Sequence, residues 1–133
     1  MLGAAVLVLS ASACGPACDE VRIERGGTPV TSFCVTRART EPELREGLAG
    51  REGLSAGEAL WMELPIEGEV CITNAPVRFG IDVAFADDAG VITRIERAWP
   101  AGDPDARCVL GTRRVLETRA GDLEAVAIGD TIR

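Results

Sequence analysis

Ile81-Asp82-Val83-Ala84-Phe85, followed within two residues by Asp87-Asp88-Ala89-Gly90, is the stretch that decides the fold class. Ile81, Val83 and Phe85 alternate with smaller or polar residues, the period of a half-buried β-strand. Asp87-Asp88-Ala89-Gly90 supplies a hairpin turn with a glycine available for positive φ, and residues 91–98 return antiparallel. The same pattern extends outward on both sides. Toward the C-terminus, Trp99-Pro100 ends the returning strand and residues 101–107 form a loop. Short strands follow at 108–110 and 115–118, residues 123–127 make a helical turn or strand start, and Thr131-Ile132 closes the chain. Toward the N-terminus, residues 59–64 and 69–73 read as strands around a turn at Pro65-Ile66-Glu67-Gly68. Residues 21–25 and 30–36 read as strands around Gly26-Gly27.

One segment has a different period. Thr40-Glu41-Pro42-Glu43 carries helix-start chemistry: Thr40 can cap, Glu43 completes a capping box, and Pro42 sits in the first turn, where a missing N–H costs nothing. Leu44 and Leu48 fall on one face at i and i+4, and Gly50 is a natural stop. The expectation is a mainly β (α+β) domain, a small antiparallel barrel or sandwich with one short helix near residues 40–49.

The chain has 133 residues and a formal net charge of −7, with no His, Lys, Tyr or Gln, and Asn74 as the only asparagine. That length suits one domain with a core of its own. The acidic balance excludes a nucleic-acid partner, which needs basic surface to displace phosphate counterions. It equally excludes docking on anionic lipid through a basic face. Without His, the commonest general base and the Ser-His-Asp and Cys-His arrangements are absent. Without Lys there is neither a Schiff base nor a Ser-Lys pair, and no glycine-rich phosphate loop precedes a helix.

Residues 4–9 are an unbroken apolar run, followed by Ser10-Ala11-Ser12-Ala13 and Cys14. The run is too short to span a bilayer, which takes about 20 residues. It fits a secretory leader, although Met1-Leu2-Gly3 lacks the usual positive charge. Ala11-Ser12-Ala13 suits ordinary cleavage, and Ala11-Ser12-Ala13-Cys14 also resembles a bacterial lipobox with Ala11 where Leu is usual. Cysteine parity favours the second: lipidating Cys14 leaves Cys18, Cys34, Cys71 and Cys108, an even set for an oxidising compartment. The expected arrangement is a lipoprotein signal at 1–13, a tether at 14–20 and one β-rich domain at 21–133. The domain is exported to the cell envelope and held at the membrane by a lipid on Cys14; the alternative is a plainly secreted protein. Four cysteines allow three connectivities. The pairing expected is Cys18–Cys34 across the first hairpin, and Cys71–Cys108 from a central strand to a late loop. The long spacings and the absence of His argue against a metal site.

Gly47-Leu48-x-x-Arg51-x-x-Leu54, Ala59-Leu60-Trp61-Met62, Asp82-Val83-Ala84-Phe85-Ala86-Asp87, Val115-Leu116-Glu117-x-x-Ala120-Gly121 and Gly129-Asp130 follow one another in order. Together they resemble domain of unknown function 192, a small β-rich family of bacteria and archaea, often exported. The likeness runs from about Phe33 to Ile132. It implies a fold and no reaction. Where the family commonly has Phe-Trp-Met-Lys-Asn-Thr, this chain has Val70-Cys71-Ile72-Thr73-Asn74-Ala75, keeping only the asparagine.

Four polar residues are candidates for a shared ligand site: Arg51, whose fork suits an anion, Asn74 at a strand end, Asp82 interrupting a strand, and Glu117. Asp82 is expected either to accept backbone hydrogen bonds or to pair with Arg51. No catalytic residue, cofactor or metal is assigned. The function expected is a non-catalytic binding or accessory module for a small ligand or an envelope protein. The alternative is a hydrolase in which Asp82, Asp87, Glu117 and Asp130 supply paired carboxylates.

Overall fold

A computed structural model of the chain describes residues 17–133. The leader at 1–13, Cys14 and the first part of the tether lie outside the described residues. The strands are β1 (Glu20–Arg25), β2 (Thr28–Ala38), β3 (Glu58–Ile72), β4 (Ile81–Ala86), β5 (Ile92–Trp99), β6 (Arg107–Arg119) and β7 (Thr131–Ile132). They form one curled sheet in the order β5-β4-β6-β3-β2-β1-β7. All its pairs are antiparallel except β2 with β3, which the chain joins by a crossover through α1 (Glu41–Glu46). The two ends of the sheet meet at the bridge Val91↔Thr131, so it curls into a half-barrel.

Gly90 is what allows this meeting. It adopts φ +84°, and a Cβ there would stand 2.6 Å from the Ile132 carbonyl oxygen, closer than atoms can pack. The Ile132 N–H reaches the Gly90 carbonyl at 2.8 Å, and Asp87 holds the turn by accepting from the Val91 N–H at 2.9 Å.

The helix begins as its sequence dictates. Thr40 Oγ1 accepts from the Glu43 N–H, and the Glu43 carboxylate accepts from the Thr40 N–H at 3.0 Å, a complete capping box. It ends sooner than Gly50: Gly47 takes φ +51° and stops it after six residues. Leu48 then turns under α1 and is buried, with Leu44 half-buried beside it.

Three expectations are corrected. Pro65-Ile66-Glu67-Gly68 is not a turn, because β3 continues through it. Pairing with β6 slips between Glu63 and Gly68 and again between Gly68 and Val70. Such an irregularity accommodates Pro65, which has no N–H to give a ladder. The runs at 108–110 and 115–118 are likewise one strand, β6, with Gly111 at φ +62° between them. Cys108 is therefore on a strand rather than a loop. The Cys71–Cys108 bond joins residues directly opposite in the β3–β6 ladder, and Cys18–Cys34 ties the start of the domain to β2.

The third correction concerns β4, which is buried on both faces rather than one. All seven strands contribute to a cluster that includes Ile23, Phe33, Trp61, Ala84 and Leu116, the arrangement expected of the concave side of the curl. Leu123 and Val126 from the C-terminal turns close it. The alternate residues Leu60, Met62, Val83, Phe85 and Val115 face the other way and pack under Leu48, Val77 and Trp99. Ala84 and Ala86 are therefore small because they are buried, not because they face water.

Candidate functional site

Asp82 shares the phase of Ala84 and Ala86 on the concave side of β4 and is itself buried. It stands opposite a slip in the β4–β5 register, where Ile81 pairs with Trp99 but Val83 pairs with Glu96. At that bulge Ala98 has φ +50°, a region a non-glycine residue enters only when held there. The Ala98 N–H points away from the ladder and donates to Asp82 Oδ1 at 2.8 Å. Asp82 Oδ2 accepts from the Gly121 N–H at 3.0 Å and the Leu123 N–H at 3.2 Å. Arg97, on the same bulge, donates to the carbonyls of Leu123 and Val126. One carboxylate and one guanidinium thus satisfy the N–H and C=O groups of the turn that closes the concave core. Asp82 makes backbone hydrogen bonds, and the alternative pair with Arg51 does not form.

Asn74 has a comparable role. It is fully buried, and its amide nitrogen reaches the carbonyls of Pro100 at 2.8 Å, Phe79 at 3.3 Å and Trp99 at 3.4 Å. Its backbone carbonyl accepts from the N–H groups of Val77 and Gly102. It binds two loops together through its amide nitrogen and backbone carbonyl, while its side-chain oxygen Oδ1 is buried without a partner among the described residues.

Glu117 is different. On β6 it follows the alternation of Val115 and so faces the α1 side, opposite Leu60 and Val83. There it lines a cavity of about 350 Å³ beneath α1, whose walls include Leu48, Met62, Val70, Ile72 and Val77. Glu117 is only 4% exposed, and neither a backbone nor a side-chain donor among the described residues hydrogen-bonds its carboxyl. Burial pushes it up to about 7 from the usual 4.5, and the Arg51 charge only partly opposes this. Gly47 borders the carboxylate: a Cβ there would stand in ordinary contact with Glu117 Oε2, at 3.8 Å.

Arg51 lines a separate hollow of about 300 Å³ on the other side of Glu46 and Gly47. The four expected site residues therefore do not line one concavity. Glu117 and Arg51 are electrostatic neighbours in adjacent hollows, while Asp82 and Asn74 are structural. The remaining carboxylates are also occupied. Asp87 holds its hairpin, and Asp130 is bidentate to Arg25 at 2.8 and 2.9 Å and accepts from the Ala127 N–H. Among the described residues, the one close group of three ligating side chains is Glu69 with Cys71 and Cys108, whose sulfurs are bonded to each other.

Sequence reasoning missed the apolar walls. The usable signals were the shared phase of Val115 and Glu117 on one strand and the helical phase of Leu44 and Leu48. The segment 70–73, in which this chain departs from the Trp-Met-Lys pattern, is part of the cavity wall.

This architecture defines a small mainly β half-barrel domain with one capped helical turn across its convex face. The chain belongs to the DUF192 family, described as "Uncharacterized ACR", whose model matches residues 21–133. It is similar to the crystal structure of a protein of unknown function from Novosphingobium aromaticivorans, with TM-score 0.81 and 20% identity, over 91% of this chain and 94% of that one. It is also similar to a Sinorhizobium meliloti protein described as a candidate transcription regulator, with TM-score 0.81 and 18% identity, over 86% of this chain and 91% of that one. At these identities the likeness is one of fold. No curated protein matches the chain.

Two variants separate the structural carboxylate from the cavity carboxylate. Asp82→Asn leaves one acceptor oxygen for three N–H donors and should cost about 2–4 kcal/mol in urea unfolding. Glu117→Gln should do the opposite above neutrality. Because folding raises the Glu117 value, the folded state binds the extra proton and wild-type stability falls as pH rises from 4.5 to about 7. A shift from 4.5 to about 7 corresponds to roughly 3 kcal/mol. Glu117→Gln should therefore be the more stable protein at pH 8, with the advantage disappearing below pH 4.5. Urea midpoints measured across that range check the sign.

Proposed function

We propose that this domain is an exported, non-catalytic binding module of the cell envelope, anchored by a lipid on Cys14, and that it holds a small, largely apolar molecule in the cavity beneath α1. The observation that carries this reading is Glu117, a buried carboxyl in an apolar cavity to which no donor among the described residues makes a hydrogen bond. Buried polar groups are normally satisfied, so a carboxyl left in this state is available to a guest. The volume falls within the range of about 300–1,000 Å³ typical of small-molecule sites, which are likewise apolar with few polar groups.

Several observations support the rest. Two disulfides fit an oxidising compartment, and their use of four cysteines leaves Cys14 for acylation. A net charge of −7 favours neither nucleic acid nor a basic membrane-binding face, so a lipid is the simpler route to the membrane. Binding is favoured over carboxylate-dependent hydrolysis because Asp82, Asp87 and Asp130 are committed to backbone N–H groups and to Arg25.

Titration with N-phenyl-1-naphthylamine, whose fluorescence rises in apolar surroundings, tests the cavity. The expected result is saturable one-site binding that Val70→Trp, by filling the cavity, weakens about tenfold or more with the circular-dichroism spectrum unchanged. Unsaturable fluorescence, or a Val70→Trp protein with wild-type affinity, would refute the cavity as a site. Mass spectrometry of the membrane fraction should find an N-terminus at Cys14 carrying acyl mass, and an N-terminus at Cys14 without acyl mass would refute the anchor.

A further inference from the structure

We propose that the cavity beneath α1 selects small organic cations, primary ammonium compounds whose apolar body fills the cavity and whose charged head meets Glu117. This rests on the reading of the cavity as a binding site and names the class of ligand it takes. The charged residues in its lining are unbalanced: Glu41, Glu46, Glu69 and Glu117 against Arg45 alone. Arg45 is already engaged one helical turn back by Glu41, at 2.5 Å. Glu46 and Glu69 at the exposed rim and Glu117 within are left to set the potential an entering molecule meets. Arg51 is the other cation whose field reaches Glu117. It lies in the neighbouring hollow and acts through space without a hydrogen bond. The strand neighbours of Glu117, Leu60 and Val83, carry no charge.

Three kinds of head group can be compared at this site. An anion would face three carboxylates in an apolar enclosure and pay for its own desolvation without a partner. A neutral alcohol could share a hydrogen bond with Glu117 but would leave the rim charge unused. An ammonium head gains from the rim on approach and inside supplies the donor and the positive charge that Glu117 lacks. A primary ammonium is a compact charge with three donors, which suits a single carboxylate better than the planar fork of a guanidinium. Its arrival stabilises the charged form of Glu117, offsetting the penalty of burial.

The test is calorimetric titration of the purified protein at pH 8 with n-octylammonium, n-octanol and octanoate, which share one tail and differ in the head. n-Octylammonium should bind about tenfold or more tighter than n-octanol, with octanoate the weakest. Glu117→Gln should abolish the preference for n-octylammonium over n-octanol. Should that variant fold poorly, the exposed pair Glu46→Gln with Glu69→Gln should still weaken n-octylammonium by about threefold. The three ligands binding with equal affinity, or octanoate binding best, would overturn the cation assignment while leaving the cavity reading in place. Failure of all three to bind would overturn both. Binding of N-acetyl-lysine amide as tightly as n-octylammonium would overturn the small-molecule assignment in favour of a protein lysine side chain.

Discussion

The half-barrel depends on a buried carboxylate that accepts three backbone N–H groups from two distant segments. Asp82 receives Ala98 from the β5 bulge and Gly121 and Leu123 from the C-terminal turn. Without it, Ala98 would have no reason to hold its left-handed conformation, and the turn that places Leu123 and Val126 over the concave core would lose its attachment to β4. Arg97 completes the arrangement from the other side by taking the carbonyls of the same turn. A sheet curled this far leaves strand ends and turns whose polar groups cannot reach water, and these two side chains satisfy them.

With Asp82 committed to the concave side, the chemistry available to a guest is confined to the convex side. There α1 lies over β3 and β6, and the wall formed by residues 70–73 is built of small and medium side chains. Glu117 is buried here for a reason of register. Alternation on β6 places it in phase with Val115, and nothing from α1 reaches down to neutralise it. Two of the buried carboxyl groups, Asp82 and Glu117, one on each side of the same sheet, are therefore in opposite circumstances. Asp82 is saturated with donors, whereas Glu117 has none among the described residues.

Much of this was legible in the sequence where local rules dominate. The capping box at Thr40 and Glu43, the hairpin at Asp87 to Gly90 and the period-2 run at Ile81 to Phe85 each declare themselves within a few residues. The errors arose where tertiary context overrode those rules. Pro65 and Gly68 look like a turn, yet a slipped register lets a strand pass through them. Ala84 and Ala86 look like a solvent-facing phase, yet the curl of the sheet buries them. The grouping of Arg51, Asn74, Asp82 and Glu117 failed for a similar reason. Residue type alone does not distinguish a carboxylate consumed by backbone donors, as Asp82 is, from one facing an apolar cavity, as Glu117 does.

The Cys18–Cys34 bond has a mechanical consequence. It closes a covalent loop that contains all of β1 and its hairpin with the first part of β2. Tension applied to the chain at residue 17 passes directly through the sulfur bridge to Cys34, bypassing residues 19–33. From Cys34 it enters β2 where that strand lies parallel to β3, with Cys34 opposite Glu58 and Ala38 opposite Met62. A pull on the N-terminal side therefore cannot peel β1 from the sheet edge one hydrogen bond at a time. It loads the sheet at β2, where pairing continues inward through β3 and β6.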